Sequence, residues 1–240
     1  MIMALHGFLG LRKDWDPFRE MIRRPDASPH DWLTPDLWQL LDRAPTISAA
    51  AQALAAEAAA SAPGRPWLLG YSMGGRLAMR AFSLRPDAFA GAIFLSANPG
   101  LRTDAERSAR RRADEVWAMR FAGDEPWDAM MADWNAREAF AATEALVRPA
   151  GLFDRTRLAR ALRDWGLGVQ PDLRAELAKT ARPSLWISGA RDAAFTETMK
   201  QGVGGAGRWT SIAKAGHRLL WDEPTALSQT IQAFLAEHDG

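Results

Sequence analysis

The chain has 240 residues, of which 48% are hydrophobic and 25% charged, so we expect one domain with a full-size core and exclude collagen-like, coiled-coil and wholly disordered proteins. It contains no cysteine, which excludes disulfides, thiolate metal sites and cysteine nucleophiles. The net charge is only +1, yet of the 30 basic residues four are lysine and the other 26 are arginine. One explanation of this skew is a GC-rich genome, whose codons favour arginine. The other is an anionic ligand, because guanidinium groups bind carboxylates in a bidentate geometry that lysine lacks.

Short apolar segments bounded by Gly and Pro alternate with helical patterns along most of the chain. The Ala-rich run Thr46–Ser61 has apolar residues at helical spacing and predicts a closely packed helix. The apolar segments predict five strands: Met1–Leu5, Trp67–Gly70, Ala90–Ser96, Ser184–Ser188 and Arg208–Ala213. This alternation is typical of an α/β fold, in which a mostly parallel sheet carries helices on both faces.

The segment between Arg102 and Leu177 interrupts this pattern, because it holds helical patterns and paired charges but no strand candidate. We therefore predict that residues 1–101 and 178–240 form the two parts of an α/β core and that residues 102–177 are an inserted helical cap. Ligands of such sheets bind beyond the carboxyl ends of the strands, so a cap there would form one wall of a pocket.

Neither a signal peptide nor a membrane span is expected. The first eleven residues, MIMALHGFLGL, lack a basic flank and a small-residue cleavage site, and they predict a strand. No segment approaches the roughly 18–20 apolar residues of a membrane-spanning helix. We expect a cytoplasmic protein.

The strongest motif is G-x-S-x-G at Gly70–Gly74, directly after the second predicted strand and directly before a helical pattern at Arg76–Leu84. This context is that of a nucleophile elbow, in which small residues allow a tight strand-to-helix turn that holds the serine out. The alternative, without a catalytic role, is a Gly-rich turn that caps a helix. We predict that Ser72 is the reactive serine.

A reactive serine needs a histidine and an acid. Of the four histidines, His217 follows the last predicted strand in Ala-Gly-His, and Asp192 closes the strand before it. The chain order Ser72, Asp192, His217 is one that this elbow uses. Asp222 and Glu223 are closer to His217 in sequence, but we expect them to open the last helix as N-terminal acids.

An oxyanion site requires two backbone N–H groups aimed at developing negative charge. Met73, which follows the serine, supplies one by position. The loop after the first strand, His6–Gly10, resembles an HG-type oxyanion loop, and its Phe8 is the second candidate donor. We interpret His6 as a structural residue that braces this loop, not as a proton carrier.

Together these motifs resemble those of the α/β-hydrolase fold, and most closely those of the 2-succinyl-6-hydroxy-2,4-cyclohexadiene-1-carboxylate synthase family of menaquinone biosynthesis. The elbow and the Ala-Gly-His motif are shared with many hydrolases and carry little specificity. The resemblance extends over nearly the whole chain and rests on LHGFLG (Leu5–Gly10), GYSMGGRLAM (Gly70–Met79), NPGLRTDAERSARRRADEVWAMRF (Asn98–Phe121), ADW (Ala132–Trp134), VQPDLRAEL (Val169–Leu177) and SGARDAAF (Ser188–Phe195).

The resemblance implies a lyase that eliminates pyruvate from a polycarboxylate substrate, with the triad serine as a base and no acyl-enzyme. It also implies arginines in the pocket. Arg76 lies one helical turn beyond Ser72, on the same side of the helix. Arg110 matches the family motif and lies within a basic cluster that, taken alone, indicates a solvent-exposed helix face. Arg148 is an ambiguous candidate for a third carboxylate-binding arginine.

Tyr71 and Trp134 match positions that line the pocket in this family, although either could equally be core packing. The chain departs from the family's pattern in several respects. Thr34–Trp38 stands where relatives have D-L-P-G-H-G, Asn135 replaces a tyrosine, and we expect the leading strand pair before the His-Gly loop to be missing from this sequence.

We predict a small-molecule carboxylate as the partner, and a monomer or small homo-oligomer. We expect no cofactor, no metal, no nucleic acid and no membrane. The alternative with the same triad is a serine carboxylesterase acting on a small-molecule ester.

Overall fold

The computed structural model describes residues 1–22, 32–61 and 64–238. Within them one sheet contains six strands, all parallel to their neighbours, in the order β2-β1-β3-β4-β5-β6. The strands are β1 (Ile2–Leu5), β2 (Trp32–Leu33), β3 (Trp67–Tyr71), β4 (Gly91–Leu95), β5 (Ser184–Gly189) and β6 (Gly207–Ile212). In these residues, no helix is long and apolar enough to cross a membrane.

The helices connect the strands and form the segment between β4 and β5. They are α1 (Asp16–Met21), α2 (Leu37–Arg43), α3 (Ile47–Ala60), α4 (Met73–Leu84), α5 (Asp104–Ala122), α6 (Trp127–Asn135), α7 (Arg155–Asp164), α8 (Arg174–Leu177), α9 (Ala193–Lys200), α10 (Leu219–Asp222) and α11 (Pro224–Ala236). Short 3-10 turns lie at Arg12–Trp15, Pro86–Ala88, Glu138–Phe140, Ala150–Leu152 and Leu167–Val169.

All five predicted strands are present, and the parallel α/β sheet is confirmed. The sequence pattern did not predict β2, which has only two residues. This strand pairs with β1, with Trp32 beside Ile2 and Leu33 beside Met3. Two residues are too few to show the period-two alternation by which a strand is recognised.

The two faces of the sheet carry separate hydrophobic cores. Met3 and Leu68 on one face pack in a cluster with α2, α3, α4 and the helices that follow β4. Leu69 and Ile93 on the other face pack with α1 and α11. Alternate side chains of a strand point to opposite faces, and both faces are covered, so the strands are apolar throughout.

The Ala-rich helix is α3, as predicted. Its N-cap is Thr46, whose hydroxyl accepts a hydrogen bond from the Ala49 N–H at 3.1 Å. Small side chains at Ala51 and Ala58 are buried and allow the helix to pack closely against α4.

The segment between Leu101 and β5 contains helices and no strand in the described structure. Its first helix, α5, begins with a capping box in which Thr103 and Glu106 each bond the other's backbone N–H. This helix packs against α7, and the side chains of α5 and α6 join the core on the α4 side of the sheet. The helical character of the predicted cap is thus confirmed, while its treatment as a separate inserted unit stays a prediction.

Candidate active site

Ser72 lies in the tight turn between β3 and α4 with a φ of 51°, one of three non-glycine residues with positive φ among those described. Its N–H donates to the Leu95 carbonyl of β4 at 2.9 Å, which ties the turn to the sheet. A Cβ at Gly70 would lie 2.6 Å from the Gly74 carbonyl oxygen, and one at Gly74 would lie 2.4 Å from the Leu5 carbonyl oxygen. The two glycines therefore allow the backbone approach that the nucleophile-elbow interpretation requires.

His217 and Asp192 converge on this serine. Ser72 Oγ is 3.1 Å from His217 Nε2, and His217 Nδ1 is 3.1 Å from Asp192 Oδ2. The histidine and the aspartate are 4% and 8% exposed, so their hydrogen bond is shielded from water. The three residues are far apart in sequence, and they meet because each follows a strand at the carboxyl edge of the parallel sheet.

Each carboxylate oxygen of Asp192 has its own partner. Oδ2 faces His217, while Oδ1 accepts from the Phe195 N–H at 3.3 Å and caps α9. The ring of Phe195 in turn packs 4.4 Å from the imidazole of His217. The aspartate side chain is therefore held at both oxygens, and the histidine ring is held at its edge and face.

Asp222 does not cap the last helix, which corrects the expectation from its position. Its Oδ2 accepts from the Gly216 N–H at 2.8 Å, and its Oδ1 accepts from the Thr143 hydroxyl. Asp222 ends α10 instead of opening α11, so its carboxylate points back at the loop that carries His217. Glu223 does precede α11, but its side chain makes no capping hydrogen bond.

The loop after β1 is braced in three places. The Gly10 N–H donates to the Gly7 carbonyl at 3.0 Å, and Nδ1 of the buried His6 donates to the same carbonyl at 2.9 Å. Trp38 Nε1 donates to the Gly10 carbonyl at 2.9 Å. Burial lowers the pKa of His6, which favours the neutral ring that this contact uses.

These contacts agree with a structural role for His6. They also show what stands in place of the D-L-P-G-H-G loop: Asp36 caps α2, and the indole of Trp38 packs on the oxyanion loop. The two predicted oxyanion donors, Phe8 and Met73, both line the cavity in front of Ser72. Their backbone roles stay a prediction.

The cavity has an aromatic wall on the side of the helical segment. Trp134 lies 4.9 Å from Phe8 by ring centroids, and Phe140 lies 5.5 Å from His217. Tyr71 lines the same cavity, with its ring 5.8 Å from His217. Burial raises the pKa of Tyr71, so its hydroxyl stays protonated. Tyr71 and Trp134 thus both reach the cavity, as the resemblance implied, and both are also largely buried.

The predicted arginines all reach the cavity, but their partners differ. Arg76 donates from Nη1 to Gln170 Oε1 at 3.2 Å, and Gln170 in turn donates to the Asn98 carbonyl at 3.0 Å. Arg110 uses only Nε, which donates to Asp114 at 2.8 Å. Arg148 forms a buried ion pair with Asp14 at 2.6 Å. This buried ion pair already neutralises Arg148.

The cavity is also lined by two arginines that the sequence did not single out, Arg137 and Arg218. Arg218 donates to the Glu144 carbonyl and to Asn135 Oδ1, so the asparagine that replaces the family's tyrosine holds an arginine. Because Arg218 directly follows His217, its sequence position could have indicated that it lies near the site. No sequence feature indicated the same for Arg137.

The described parts of the chain contain no group of three His, Asp or Glu side chains arranged to hold a metal ion. The cavity places Ser72 and His217, with Asp192 behind the histidine, beside a set of guanidinium groups. Such an arrangement can move a proton at a ligand that carries carboxylates.

Comparison with known proteins agrees with this description. The model of the alpha/beta hydrolase family matches residues 2–230. A 2-succinyl-6-hydroxy-2,4-cyclohexadiene-1-carboxylate synthase of Pectobacterium atrosepticum is 32% identical over 98% of this chain and 93% of its own length. The enzyme of the same name from Citrobacter koseri is 41% identical over 54% of this chain, an alignment that spans about half (53%) of that relative.

Solved structures share the fold. The structure of MenH from S. aureus superposes with a TM-score of 0.74 at 22% identity, covering 100% of this chain and 94% of that one. A thermophilic esterase from Thermogutta terrifontis, solved with malate bound, has a TM-score of 0.68 at 21% identity and covers 99% and 89% of the two chains. The chain therefore belongs to the alpha/beta hydrolase family and, within it, to the family of the curated 2-succinyl-6-hydroxy-2,4-cyclohexadiene-1-carboxylate synthases.

Proposed function

We propose that this protein eliminates pyruvate from 2-succinyl-5-enolpyruvyl-6-hydroxy-3-cyclohexene-1-carboxylate and releases 2-succinyl-6-hydroxy-2,4-cyclohexadiene-1-carboxylate. The observation that carries the proposal is the Ser72–His217–Asp192 arrangement opening on a cavity with Arg76 and Arg110 in its wall. An esterase needs the same serine arrangement but has no need of several cations around its substrate. The names of the curated relatives support the same reaction.

The reaction needs a base at one ring carbon. The substrate has one ring double bond, at position 3, whereas the product has two, at positions 2 and 4. The proton therefore leaves carbon 2. The new double bond forms between carbons 2 and 3, the old one shifts to carbons 4 and 5, and the C–O bond at carbon 5 breaks. The enolpyruvyl oxygen leaves with the electron pair, and a proton added to the enolpyruvate completes pyruvate.

Ser72 takes the ring proton as its own hydroxyl proton passes to His217 Nε2, at the 3.1 Å separation given above. Asp192 accepts from Nδ1, fixes the tautomer that leaves Nε2 free to accept, and stabilises the imidazolium. The imidazolium then returns its proton to the leaving enolpyruvate. No bond between serine and substrate forms in this sequence.

Negative charge develops on the succinyl carbonyl next to carbon 2 as the proton leaves. The N–H groups of Phe8 and Met73 are the proposed donors to that oxygen. Met73 is the first residue of α4, so its N–H has no acceptor within the helix, and the helix N-terminus favours negative charge. The braced loop of His6–Gly10 holds the other donor.

The first test is direct. Purified protein given the enolpyruvyl substrate is expected to release one pyruvate per substrate consumed, measured by coupling to lactate dehydrogenase and by the absorbance of the conjugated diene. Short p-nitrophenyl esters are expected to turn over poorly and to leave no acyl group on Ser72 in intact-protein mass spectrometry. Ester turnover with an acyl-serine and no pyruvate would instead identify the esterase.

Replacing Arg76 by alanine is expected to lower kcat/KM for pyruvate release by about 10- to 100-fold, the usual size of a charge-assisted hydrogen bond. The reason is that Arg76 is held by Gln170 with donors left over for a substrate carboxylate. Burial and the nearby Arg110 lower the pKa of Arg76 to about 9, so the group remains charged at neutral pH.

Arg80→Ala is the matched control, because Arg80 lies one turn further along α4 and bonds Glu176 at 2.8 Å, away from the cavity. Steady-state kinetics of the two variants, with Tm measured for each, separate substrate binding from loss of fold. Equal effects of the two substitutions would contradict the role of Arg76.

A further inference from the structure

Arg137 differs from the other cations of the cavity. It lies two residues after the end of α6, and its side chain is half-buried in the cavity wall. Within the parts of the chain that the structure describes, its guanidinium has neither an ion pair nor a hydrogen bond. The other arginines of the cavity wall all have acceptors: Arg76, Arg110, Arg148 and Arg218.

The guanidinium of Arg137 contacts aromatic rings instead of hydrogen-bond acceptors. Its guanidinium carbon lies 4.2 Å from the ring centroid of Trp134 and 5.6 Å from that of Trp117, with Phe140 at 5.9 Å. Such stacking orients the plane of the group without using any of its five N–H donors. The donors are therefore positioned at the cavity and left open.

The surroundings favour an anion at these donors. Arg110 lies close enough to Arg137 and to Arg76 to repel each of them, and the Asp114 carboxylate, which pairs with Arg110, attracts both. Burial and Arg110 lower the pKa of Arg137 to about 10, which leaves it protonated at neutral pH. A half-buried cation without an acceptor is costly until a ligand supplies one.

We propose that Arg137 binds a carboxylate of the substrate and forms the third cationic subsite of the cavity beside Arg76 and Arg110. This inference rests on the proposed function, whose substrate carries three carboxylates: one on the ring, one on the succinyl group and one on the enolpyruvyl group. Arg148, the sequence-based candidate for the third subsite, forms an ion pair with Asp14 in which both side chains are less than a tenth exposed. Arg110 is also paired, with Asp114, but only through Nε, and its side chain is a third exposed, so its Nη groups remain for a ligand.

The test compares Arg137→Ala, Arg137→Lys and Arg137→Gln with the unaltered protein. The alanine and glutamine variants are expected to raise KM for pyruvate release about 10- to 100-fold with little change in kcat, because a charge-assisted contact is lost. The lysine variant is expected to fall between them and the unaltered protein, since it keeps the charge but not the planar fork. Arg112→Ala, which removes an exposed arginine of α5 outside the cavity, is the control and is expected to change nothing.

A binding measurement keeps this inference separate from the proposed reaction. Benzene-1,3,5-tricarboxylate is titrated calorimetrically into each protein, and the Arg137→Ala variant is expected to bind it at least tenfold more weakly than the Arg112→Ala control. If the unaltered protein releases no pyruvate yet binds this probe through Arg137, the proposed reaction is wrong and the anion subsite stands. If pyruvate is released with the same KM in Arg137→Ala, the inference about Arg137 is overturned.

Discussion

Ser72→Ala is expected to abolish nearly all pyruvate release, with kcat lowered about 10⁴-fold or more, while the protein folds normally. The substitution removes the hydroxyl oxygen that lies 3.1 Å from His217 Nε2 and that we propose takes the ring proton. Ser72 Oγ makes no other hydrogen bond among the described residues, and it does not cap α4, so its loss removes no further hydrogen bond. The turn itself depends on the Ser72 N–H, which alanine retains.

The measurement is single-turnover pyruvate release together with thermal unfolding of the variant. Ser83→Ala is a matched control, because Ser83 lies near the end of the same helix and donates to the Arg80 carbonyl at 3.0 Å. It is expected to leave kcat unchanged. Retained turnover in Ser72→Ala, with the fold intact, would refute the proposed base.

Asp192→Asn is expected to lower kcat about 10³- to 10⁴-fold with little change in KM. Asn has one carbonyl oxygen for two partners that Asp192 serves separately, the Phe195 N–H and His217 Nδ1. If that oxygen keeps the cap of α9, the amide N–H₂ faces Nδ1 and moves the imidazole proton to Nε2. His217 then cannot accept the proton of Ser72, and the base is lost.

The helix cap itself is expected to survive this substitution, because Asn is as good an N-cap as Asp. Asp154→Asn is therefore the control: Asp154 caps α7 through the Arg157 N–H at 3.0 Å and lies outside the cavity. Both variants are expected to keep a Tm close to that of the unaltered protein, and only Asp192→Asn loses turnover. Near-normal kcat in Asp192→Asn would show that the carboxylate does not set the tautomer.

Local patterns in the sequence were sufficient for the parts of the site that follow strands. The elbow at Gly70–Gly74 could be predicted because it requires small residues at fixed offsets. His217 and Asp192 could be predicted because each lies in the loop that follows a strand. In a parallel sheet the carboxyl ends of all strands lie at one edge, so residues that follow different strands lie close together in space. That geometric rule connects residues as far apart as Ser72 and His217.

The charges around the serine could not be assigned in the same way. The pairing of Arg148 with Asp14 joins positions 134 residues apart, and no local spacing predicts which arginine meets which acid. Asp222 illustrates the same limit, since its sequence position suggested a helix cap and its fold position directs it to Gly216. Partners of long side chains depend on how α10 and the helices between β4 and β5 pack, not on neighbours in the chain.

The sequence by itself determined the parallel α/β sheet, the elbow with Ser72, and the order in which the acid and histidine follow it, because glycine offsets and apolar periodicity are local properties. It also showed an excess of arginine and singled out Arg76, Arg110 and Arg148, without indicating which groups each of them contacts. Only the tertiary structure decided that Arg148 is paired, that Arg218 is held by Asn135, and that Arg137 is stacked on indoles with its donors open. The free energy of a buried charge depends on every group around it, and those groups come from segments far apart in the chain.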